Sequence, residues 1–275
     1  MITPFSIQNG DAIIHGDIHH AHSRSCPIVL LIHGFQGSKN WGFFPIIAEE
    51  FARKGMISIM WNMSLNGYSA HAEFMDQPEL FARNTISQEL SDTQMIIDSL
   101  LHDDHILNPK LREQWNGEMY VLGHSRGGGI GILICEKNPS IKKLVLWNAI
   151  SRFGRFTERQ KKLWSETGIF SIGTTVDGRK IDMNYSYIQD LEQHQEEYAP
   201  LRAIEHLSTD ICIIHAEQDM TVPIREAYAL KEHARNVTMH CIPRTGHIFG
   251  STHPFTEMTS TLRDAIDITT AFFST

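Results

Sequence analysis

The sequence predicts an α/β protein in which a mostly parallel β-sheet is covered by helices on both faces. Short apolar runs of strand length alternate with amphipathic stretches of helix length along most of the 275 residues. The run 28–32 is continuously apolar, as expected for a strand buried on both faces of a parallel sheet. A second apolar run, 119–122, leads into the glycine-rich segment 123–131, which predicts a sharp strand–turn–helix connection.

The predicted elements begin with a hairpin, because two alternating stretches, 5–8 and 12–19, are joined by Asn9-Gly10. The next elements are strand 28–32, helix 44–54, strand 56–61, helix 89–101, strand 119–122, helix 126–137 and strand 143–147. The pattern resumes with strand 211–215, helix 224–235, strand 237–242 and a final helix near 259–273. Alternation of this kind favours parallel strands, because each helix returns the chain to the start of the next strand.

Residues 151–205 interrupt the pattern and contain no convincing parallel strand. They include a polar helical stretch, a glycine-rich piece and an acidic helix-like piece, at 157–164, 168–178 and 188–198. A plain loop of this length is uncommon in a compact domain. We therefore predict a core formed by residues 1–150 and 206–275, with 151–205 inserted between two sheet strands as a cap.

The overall composition limits the classes of partner. Hydrophobic residues make up 41% of the chain and charged residues 20%, which is ample for a large buried core. The net charge of −8, without a basic stripe, argues against a nucleic-acid partner. The longest apolar runs span about five to seven residues, far fewer than the ~20 needed to cross a bilayer, so no membrane span is predicted. An oligomer remains possible.

The cysteines and the first residues bear on the cellular compartment. Cys26, Cys135, Cys212 and Cys241 are widely spaced and form no CxxC pair. Reduced, buried structural thiols fit this pattern best. Residues 1–6 lack the charged and apolar regions of a signal peptide. Together these features predict a cytoplasmic protein.

Residues 123–127, Gly-His-Ser-Arg-Gly, are the most informative motif. They follow an apolar strand and open a helix, so a sharp turn would carry Ser125 at the end of the strand. Such a turn strains the backbone of its central residue, and glycine at both flanks avoids collisions. This is the G-x-S-x-G nucleophile elbow in the setting that it requires. The alternative is a glycine-rich turn with an incidental serine, so the assignment depends on partners elsewhere.

The partners of a nucleophilic serine are a histidine base and a carboxylate that orients it. With this elbow, the acid and then the histidine follow the serine along the chain, each after a strand. Asp219 lies in the loop after strand 211–215, and Glu217, closer to the strand end, is its competitor. His247 follows the last strand, and this position selects it among 16 histidines, with His253 as its nearest rival.

Acyl transfer also needs two N–H donors that hold the oxyanion, each worth ~3 kcal/mol of barrier in other systems. One expected donor is the backbone N–H of Arg126, directly after the serine. The other is expected in the loop after an early strand, where His33-Gly34-Phe35 lies and the Phe35 N–H is the natural candidate. A tight strand-exit turn alone would also explain His33-Gly34, but all four elements occur in the required order.

Four pieces of the chain together resemble the α/β-hydrolase superfamily, and the resemblance covers nearly the whole sequence. They are His33-Gly34-Phe35, Gly123-His124-Ser125-Arg126-Gly127, His215-Ala216-Glu217-Gln218-Asp219 and Gly246-His247. The His-Gly-Phe turn, the Trp-Gly-Phe-Phe of 41–44 and the Gly-His-x-Phe-Gly of 246–250 are most similar to the cinnamoyl/feruloyl-esterase and dienelactone-hydrolase-like branch.

This resemblance implies the α/β-hydrolase fold, a Ser125–His247–Asp219 triad, an oxyanion hole of the Phe35 and Arg126 N–H groups, and no cofactor. Two positions depart from the family pattern. Ala216 replaces the usual glycine before the acid. The dienelactone hydrolases proper use a cysteine where Ser125 stands, which argues against their particular substrate.

The histidines near the start of the chain raise the question of a metal. His15, His19, His20 and His22 lie on a polar hairpin without a second ligand cluster, so we predict solvated side chains and no metal.

The expected reaction is hydrolysis of a small-molecule carboxylic ester, with a small acyl or aryl acid, through an acyl-enzyme on Ser125. Apolar walls for the substrate are expected from Phe153, Phe156, Trp164 and Phe170, which alternatively anchor the cap to the sheet. A peptidase or amidase acting on short peptides, an acyltransferase or a lyase would share the serine. A non-catalytic binding protein on the same fold needs none of the catalytic elements, so their joint presence argues against it.

Overall fold

The computed structural model describes residues 1–21, 25–102 and 106–275. Its strands are β1 (Ile2–Asn9), β2 (Ala12–His19), β3 (Cys26–Ile32), β4 (Ile57–Asn62), β5 (Trp115–His124), β6 (Ile141–Trp147), β7 (Ile169–Thr174), β8 (Lys180–Asn184), β9 (Asp210–Ala216) and β10 (Val237–Ile242). Its helices are α1 (Phe44–Arg53), α2 (Pro78–Phe81), α3 (Ile86–His102), α4 (Pro109–Gln114), α5 (Arg126–Lys137), α6 (Glu158–Thr167), α7 (Ser186–Gln193), α8 (Pro200–His206), α9 (Arg225–His233) and α10 (Ser260–Ser274).

Eight of these strands form one sheet in the order β1-β2-β4-β3-β5-β6-β9-β10. The strands from β4 to β10 in this order run parallel, whereas β1 and β2 are antiparallel additions at one edge. The predicted α/β class with a mostly parallel sheet is confirmed. In such sheets the carboxyl ends of the parallel strands meet along one edge, where ligands bind.

Strand β3 shows how the sheet is buried on both faces. Ile28, Leu30 and Ile32 pack into one hydrophobic cluster with α3 and α5. Val29 and Leu31 pack into a second cluster with α1 and α10. Because successive side chains of a strand point to opposite faces, only a continuously apolar run satisfies both clusters.

The segment 151–205 enters between β6 and β9, which are neighbours in the sheet. It contains α6, the antiparallel hairpin β7–β8, α7 and all but the last residue of α8. The predicted polar helix corresponds to α6, whose first turn is capped by Thr157. The glycine-rich piece forms β7 and the turn that leads to β8. The division of the chain into a core and a cap stays a prediction.

The expectation that the N-terminal histidines are solvated is wrong for His19 and His20. Their relative exposures are only 4% and 7%. The His20 ring bonds to the Thr3 hydroxyl of β1 at 3.3 Å, and burial lowers the pKa of His19. His15 is partly exposed and bonds to the Ser6 hydroxyl. His22 lies outside the described residues. In the described part of the chain, no group of three or more acidic, histidine or cysteine side chains is arranged to hold a metal ion.

Two further features concern the cysteines and the helices. Cys26, Cys135 and Cys212 are buried, Cys241 is partly buried, and no disulfide joins these described residues. None of the helices in residues 1–21, 25–102 and 106–275 is long and apolar enough to cross a membrane.

Candidate active site

Ser125 occupies the sharp turn between β5 and α5. Its φ of 56° and ψ of −119° lie in a region that residues other than glycine rarely adopt. Two backbone hydrogen bonds hold the turn against the end of β6 and the residues after it. The Ser125 N–H donates to Trp147 O at 2.9 Å, and the Ile150 N–H donates to Ser125 O at 3.2 Å.

Two glycines allow α5 to pack directly against this turn. A Cβ on Gly127 would lie 2.2 Å from the Ile32 carbonyl oxygen of β3. A Cβ on Gly123 would lie 2.3 Å from the Gly127 carbonyl oxygen, which belongs to α5. Neither position accepts a side chain unless the backbone moves.

The variant Gly127→Ala is expected to lower the free energy of unfolding by about 3 kcal/mol or to prevent folding, because the contacted atoms are backbone and cannot rotate away. Urea unfolding followed by circular dichroism measures this change. Gly154→Ala is the matched control, since a Cβ there has no heavy atom within 4 Å. Equal stability of the two variants would contradict the role assigned to Gly127.

Asp219 and His247 form a hydrogen-bonded pair. His247 Nδ1 donates to Asp219 Oδ2 at 2.6 Å, and Asp219 Oδ1 accepts from the N–H groups of Thr221 and Val222, each at 2.8 Å. Burial raises the pKa of Asp219, but the hydrogen bonds to its charged form outweigh burial and leave that pKa below the ordinary 3.8. The ionised carboxylate fixes the proton of neutral His247 on Nδ1, so Nε2 is an acceptor.

Ser125 and His247 line the same cavity, which has a volume of about 450 Å³. The structure brings these two residues to one space but forms no hydrogen bond between Ser125 Oγ and the His247 ring. Contacts of this kind are often long before substrate binds and tighten in the complex.

The competing candidates, Glu217 and His253, lie elsewhere. Glu217 is exposed. His253 Nε2 donates to Glu73 O at 2.6 Å, and His253 Nδ1 accepts from the Gly42 N–H at 3.0 Å. The His253 ring also stacks on Trp41. Because both of its ring nitrogens are used, His253 has none left for Ser125.

The loop after β3 lies against Ser125. A Cβ on Gly34 would be only 3.0 Å from Ser125 Cβ, and Phe35, the next residue, lines the cavity. His33 fixes this loop, because its Nδ1–H donates to Gly34 O at 2.9 Å. Arg126 is the first residue of α5, so its N–H has no acceptor within the helix. The N-terminus of a helix also favours negative charge, which suits an oxyanion beside Ser125.

The Arg126 side chain makes buried contacts between elements. Its Nη1 donates to Glu89 Oε1 on α3 at 3.1 Å, and its Nη2 donates to the Tyr187 hydroxyl on α7 at 3.1 Å. The guanidinium lies 4.0 Å from the centroid of the Phe35 ring. Arg126 thereby ties the helix after Ser125 to α3, to the 151–205 segment and to the loop after β3.

The cavity is mainly apolar, and none of the described residues that line it is Asp, Glu, Lys or Arg. Its aromatic wall consists of Phe35, Trp41, Phe44, Tyr68 and Phe74. The hairpin β7–β8 and its turn contribute Ile172, Thr174, Thr175, Val176 and Ile181. The segment 151–205 therefore reaches the cavity through this hairpin.

The four aromatic residues considered as substrate walls, Phe153, Phe156, Trp164 and Phe170, do not line this cavity. Trp164 is fully buried and stacks on Phe170 and Tyr187, with ring centroids 5.2 and 6.0 Å away. Phe156 packs edge-on against Trp164, and Phe153 packs against α5. The assignment of these residues as walls of this cavity is therefore wrong. Phe156, Trp164 and Phe170 pack with one another and with Tyr187 inside the 151–205 segment, and their role as anchors of a cap to the sheet stays a prediction.

Two side chains that the sequence did not single out hold the backbone of His247. Asn148 Nδ2 donates to the His247 carbonyl at 2.7 Å, and His124 Nε2 donates to the same oxygen at 2.9 Å. Burial, reinforced by the nearby His247, lowers the pKa of His124 to about 3, so its ring is neutral. The only available signal was position, since His124 lies inside the serine motif and Asn148 directly follows β6.

The sequence matches no protein-family profile and no curated protein sequence. Several solved structures share its architecture. Est1E from Butyrivibrio proteoclasticus with ferulic acid bound has a TM-score of 0.70 and 16% identity, over 98% of this chain and 98% of that one. A dienelactone hydrolase from Anabaena variabilis has a TM-score of 0.62 and 15% identity, over 100% and 97%. The mouse α/β-hydrolase domain-containing protein 10 has a TM-score of 0.70 and 14% identity, over 99% and 98%.

These similarities extend over nearly the whole chain and identify its architecture as the α/β-hydrolase fold. The neighbours include the branch that the sequence motifs resemble. At 14% to 16% identity the shared feature is the fold, and fold alone does not define an activity. The activity has to follow from the site.

Proposed function

We propose that this protein is a serine hydrolase that cleaves a carboxylic ester of a small acyl or aryl acid. The observation that carries the proposal is that a strained serine turn and a hydrogen-bonded Asp219–His247 pair open onto one uncharged cavity. Backbone strain of this kind persists where the surrounding structure enforces it, and it clusters at active sites. The hydrolases among the structural neighbours support the same class of reaction.

The proposed reaction proceeds in two steps. His247 Nε2 accepts the Ser125 proton as Oγ attacks the ester carbonyl, and the N–H groups of Phe35 and Arg126 stabilise the resulting oxyanion. Breakage of the ester C–O bond releases the alcohol, which takes the proton from His247. His247 then takes a proton from a water molecule that attacks the acyl-enzyme. The acyl C–Oγ bond breaks, His247 returns the proton to Ser125 Oγ, and the acid leaves. Asp219 keeps the imidazole in the required tautomer and stabilises its charged form.

The composition of the cavity favours an ester with an uncharged acyl group. A substrate carboxylate or ammonium group would be desolvated there without a pairing partner of opposite charge, which is costly. Short peptides carry such charges at their ends, so an ester fits the cavity better than a peptide. The volume of about 450 Å³ is within the usual range for small-molecule sites.

The 151–205 segment acts as the cap in this proposal. Its hairpin β7–β8 forms one wall of the cavity, whereas its aromatic residues Phe153, Phe156, Trp164 and Phe170 do not line the cavity. Val176 at the hairpin turn is 77% exposed and still lines the cavity, so it marks the mouth. The hairpin side chains are therefore the part of the cap that selects the acyl or alcohol group.

The proposal is tested by labelling with a fluorophosphonate and by hydrolysis of p-nitrophenyl esters. We expect covalent modification of the wild type at Ser125, located by peptide mass spectrometry, and none in Ser125→Ala. We also expect p-nitrophenyl butyrate to be hydrolysed with a kcat/KM at least about tenfold above that of the p-nitrophenyl monoester of succinic acid, whose acyl group is charged. A folded wild type that is not labelled, or labelling that persists in Ser125→Ala, contradicts the proposal.

A further inference from the structure

His247 lies in the loop between β10 and α10, outside regular secondary structure. Its ring must nevertheless reach Asp219 on one side and the cavity with Ser125 on the other. The His247 carbonyl accepts two hydrogen bonds from buried side chains, Asn148 Nδ2 at 2.7 Å and His124 Nε2 at 2.9 Å. Two donors on one carbonyl fix both the position and the direction of the peptide that follows the ring.

Asn148 is anchored to the strand that leads to Asp219. Its backbone N–H donates to Ile214 O at 3.0 Å, and its Oδ1 accepts from the Ala216 N–H at 2.7 Å. Ile214 and Ala216 belong to β9, and Asp219 lies in the loop directly after it. Asn148 has 0% exposure, so bulk solvent does not compete for these bonds. The Asn148 side chain therefore joins the backbone of His247 to β9, the strand that leads to Asp219.

The backbone of Asn148 is also unusual, with a φ of 46°. Asparagine is one of the few residues with a side chain that adopts this left-handed conformation readily. The preceding residue, Trp147, accepts the Ser125 N–H through its carbonyl. Residues 147 and 148 thus contact the serine turn, β9 and the His247 loop within a single dipeptide.

We propose that Asn148 is a positioning residue for His247 and that His124 acts with it. This inference rests on the proposed function, in which His247 is the general base. Neither side chain needs to touch the reacting atoms. They act by fixing the position of the imidazole between Asp219 and Ser125. A displacement of about 1 Å in the position of such a group costs roughly 100-fold in rate.

The first test uses Asn148→Gly in the full-length protein. Glycine tolerates the positive φ and removes both side-chain hydrogen bonds. With p-nitrophenyl acetate we expect kcat to fall roughly 10- to 100-fold, because the base is displaced. We expect KM to stay within about threefold, because the residues that line the cavity are unchanged.

A second variant and a control separate positioning from general destabilisation. His124→Phe keeps a ring against Phe43 but loses the donor, and it is also expected to lower kcat. Because His124 lines the cavity, kcat rather than KM is the readout for this variant. Asn138→Gly is the control, because Asn138 is a buried asparagine whose side chain donates to Ile134 O and Gln94 Oε1 at the other end of α5. It is expected to lower the thermal midpoint while kcat stays within about twofold.

A spectroscopic readout tests the same inference without substrate. The His247 Nδ1 proton in its bond to Asp219 is expected to give a downfield ¹H signal, which would be assigned by its loss in Asp219→Asn. We expect this signal to shift or broaden in Asn148→Gly and His124→Phe but not in Asn138→Gly. An unchanged signal and unchanged kcat in a folded Asn148→Gly or His124→Phe overturn the inference, as does an equal kcat loss in Asn138→Gly. A wild type that is neither labelled nor active contradicts the proposed function instead. In that case the His247 Nδ1 proton signal alone tests whether Asn148 and His124 position the ring.

Discussion

Ser125→Ala is expected to lower kcat for p-nitrophenyl acetate by roughly a million-fold, because it removes the oxygen that His247 would activate. The fold is expected to remain intact. Ser125 holds its turn through its backbone N–H and carbonyl, which bond to Trp147 and Ile150, and alanine keeps both groups. Steady-state kinetics and the thermal midpoint from circular dichroism measure the two effects separately.

The control for this variant is Ser151→Ala. Ser151 is also buried, but its N–H and Oγ donate to Glu226 at 2.9 and 3.3 Å, outside the cavity. It is expected to change kcat by no more than about twofold while lowering stability by about 1 kcal/mol, the usual worth of a hydrogen bond. If Ser125→Ala keeps kcat within about tenfold of the wild type, Ser125 is not the nucleophile.

The order of the strands and helices was predictable, because the spacing of apolar residues reflects which faces of a strand or helix are buried. Helix 126–137 was predicted with the bounds that α5 has in the structure. Strand β5, in contrast, begins at Trp115 rather than at 119. Its first residues are mostly exposed, and a ladder of backbone hydrogen bonds needs no apolar side chains. The hairpin β7–β8 was not predicted for the same reason, because most residues of β7 are exposed and form no apolar pattern.

The positions of Asp219 and His247 followed from topology, since the carboxyl ends of parallel strands meet at one edge of the sheet. Asn148 lies at the same edge after β6. Its bond to the His247 carbonyl depends on the path of a loop without periodicity, so its position after β6 is the only signal that the sequence carries. Trp164 shows a different limit. Its apolar character predicted burial, but only the structure shows that it faces Tyr187 rather than the cavity.

Asp219→Asn is expected to lower kcat by roughly 10,000-fold through the wrong histidine tautomer. Asp219 Oδ1 accepts from the N–H groups of Thr221 and Val222, so the oxygen of the introduced amide must take this place. The amide nitrogen then faces His247 Nδ1 and donates to it. Neutral His247 is forced to carry its proton on Nε2, and from there it cannot accept the Ser125 proton.

The same substitution is expected to flatten the acid side of the stability curve. Burial raises the pKa of Asp219, but the hydrogen bonds from His247, Val222 and Thr221 have the larger effect. The net result is a pKa below 3.8. A carboxyl whose pKa is lowered by folding stabilises the native state above its unfolded pKa and loses this contribution as pH falls through the folded pKa. The wild type is therefore expected to lose free energy of unfolding more steeply than Asp219→Asn below about pH 4, as measured by urea unfolding.

Glu217→Gln is the matched control, because it removes an exposed carboxylate two residues away on the same loop. It is expected to leave kcat within about twofold of the wild type. A folded Asp219→Asn with wild-type kcat, or a large loss of kcat in Glu217→Gln, would contradict the role of Asp219 as the carboxylate that orients His247. The rate of fluorophosphonate labelling adds a further distinction. If it falls in parallel with kcat in Asp219→Asn, the loss lies in the activation of Ser125, because the cavity that binds the ester is unaltered in that variant.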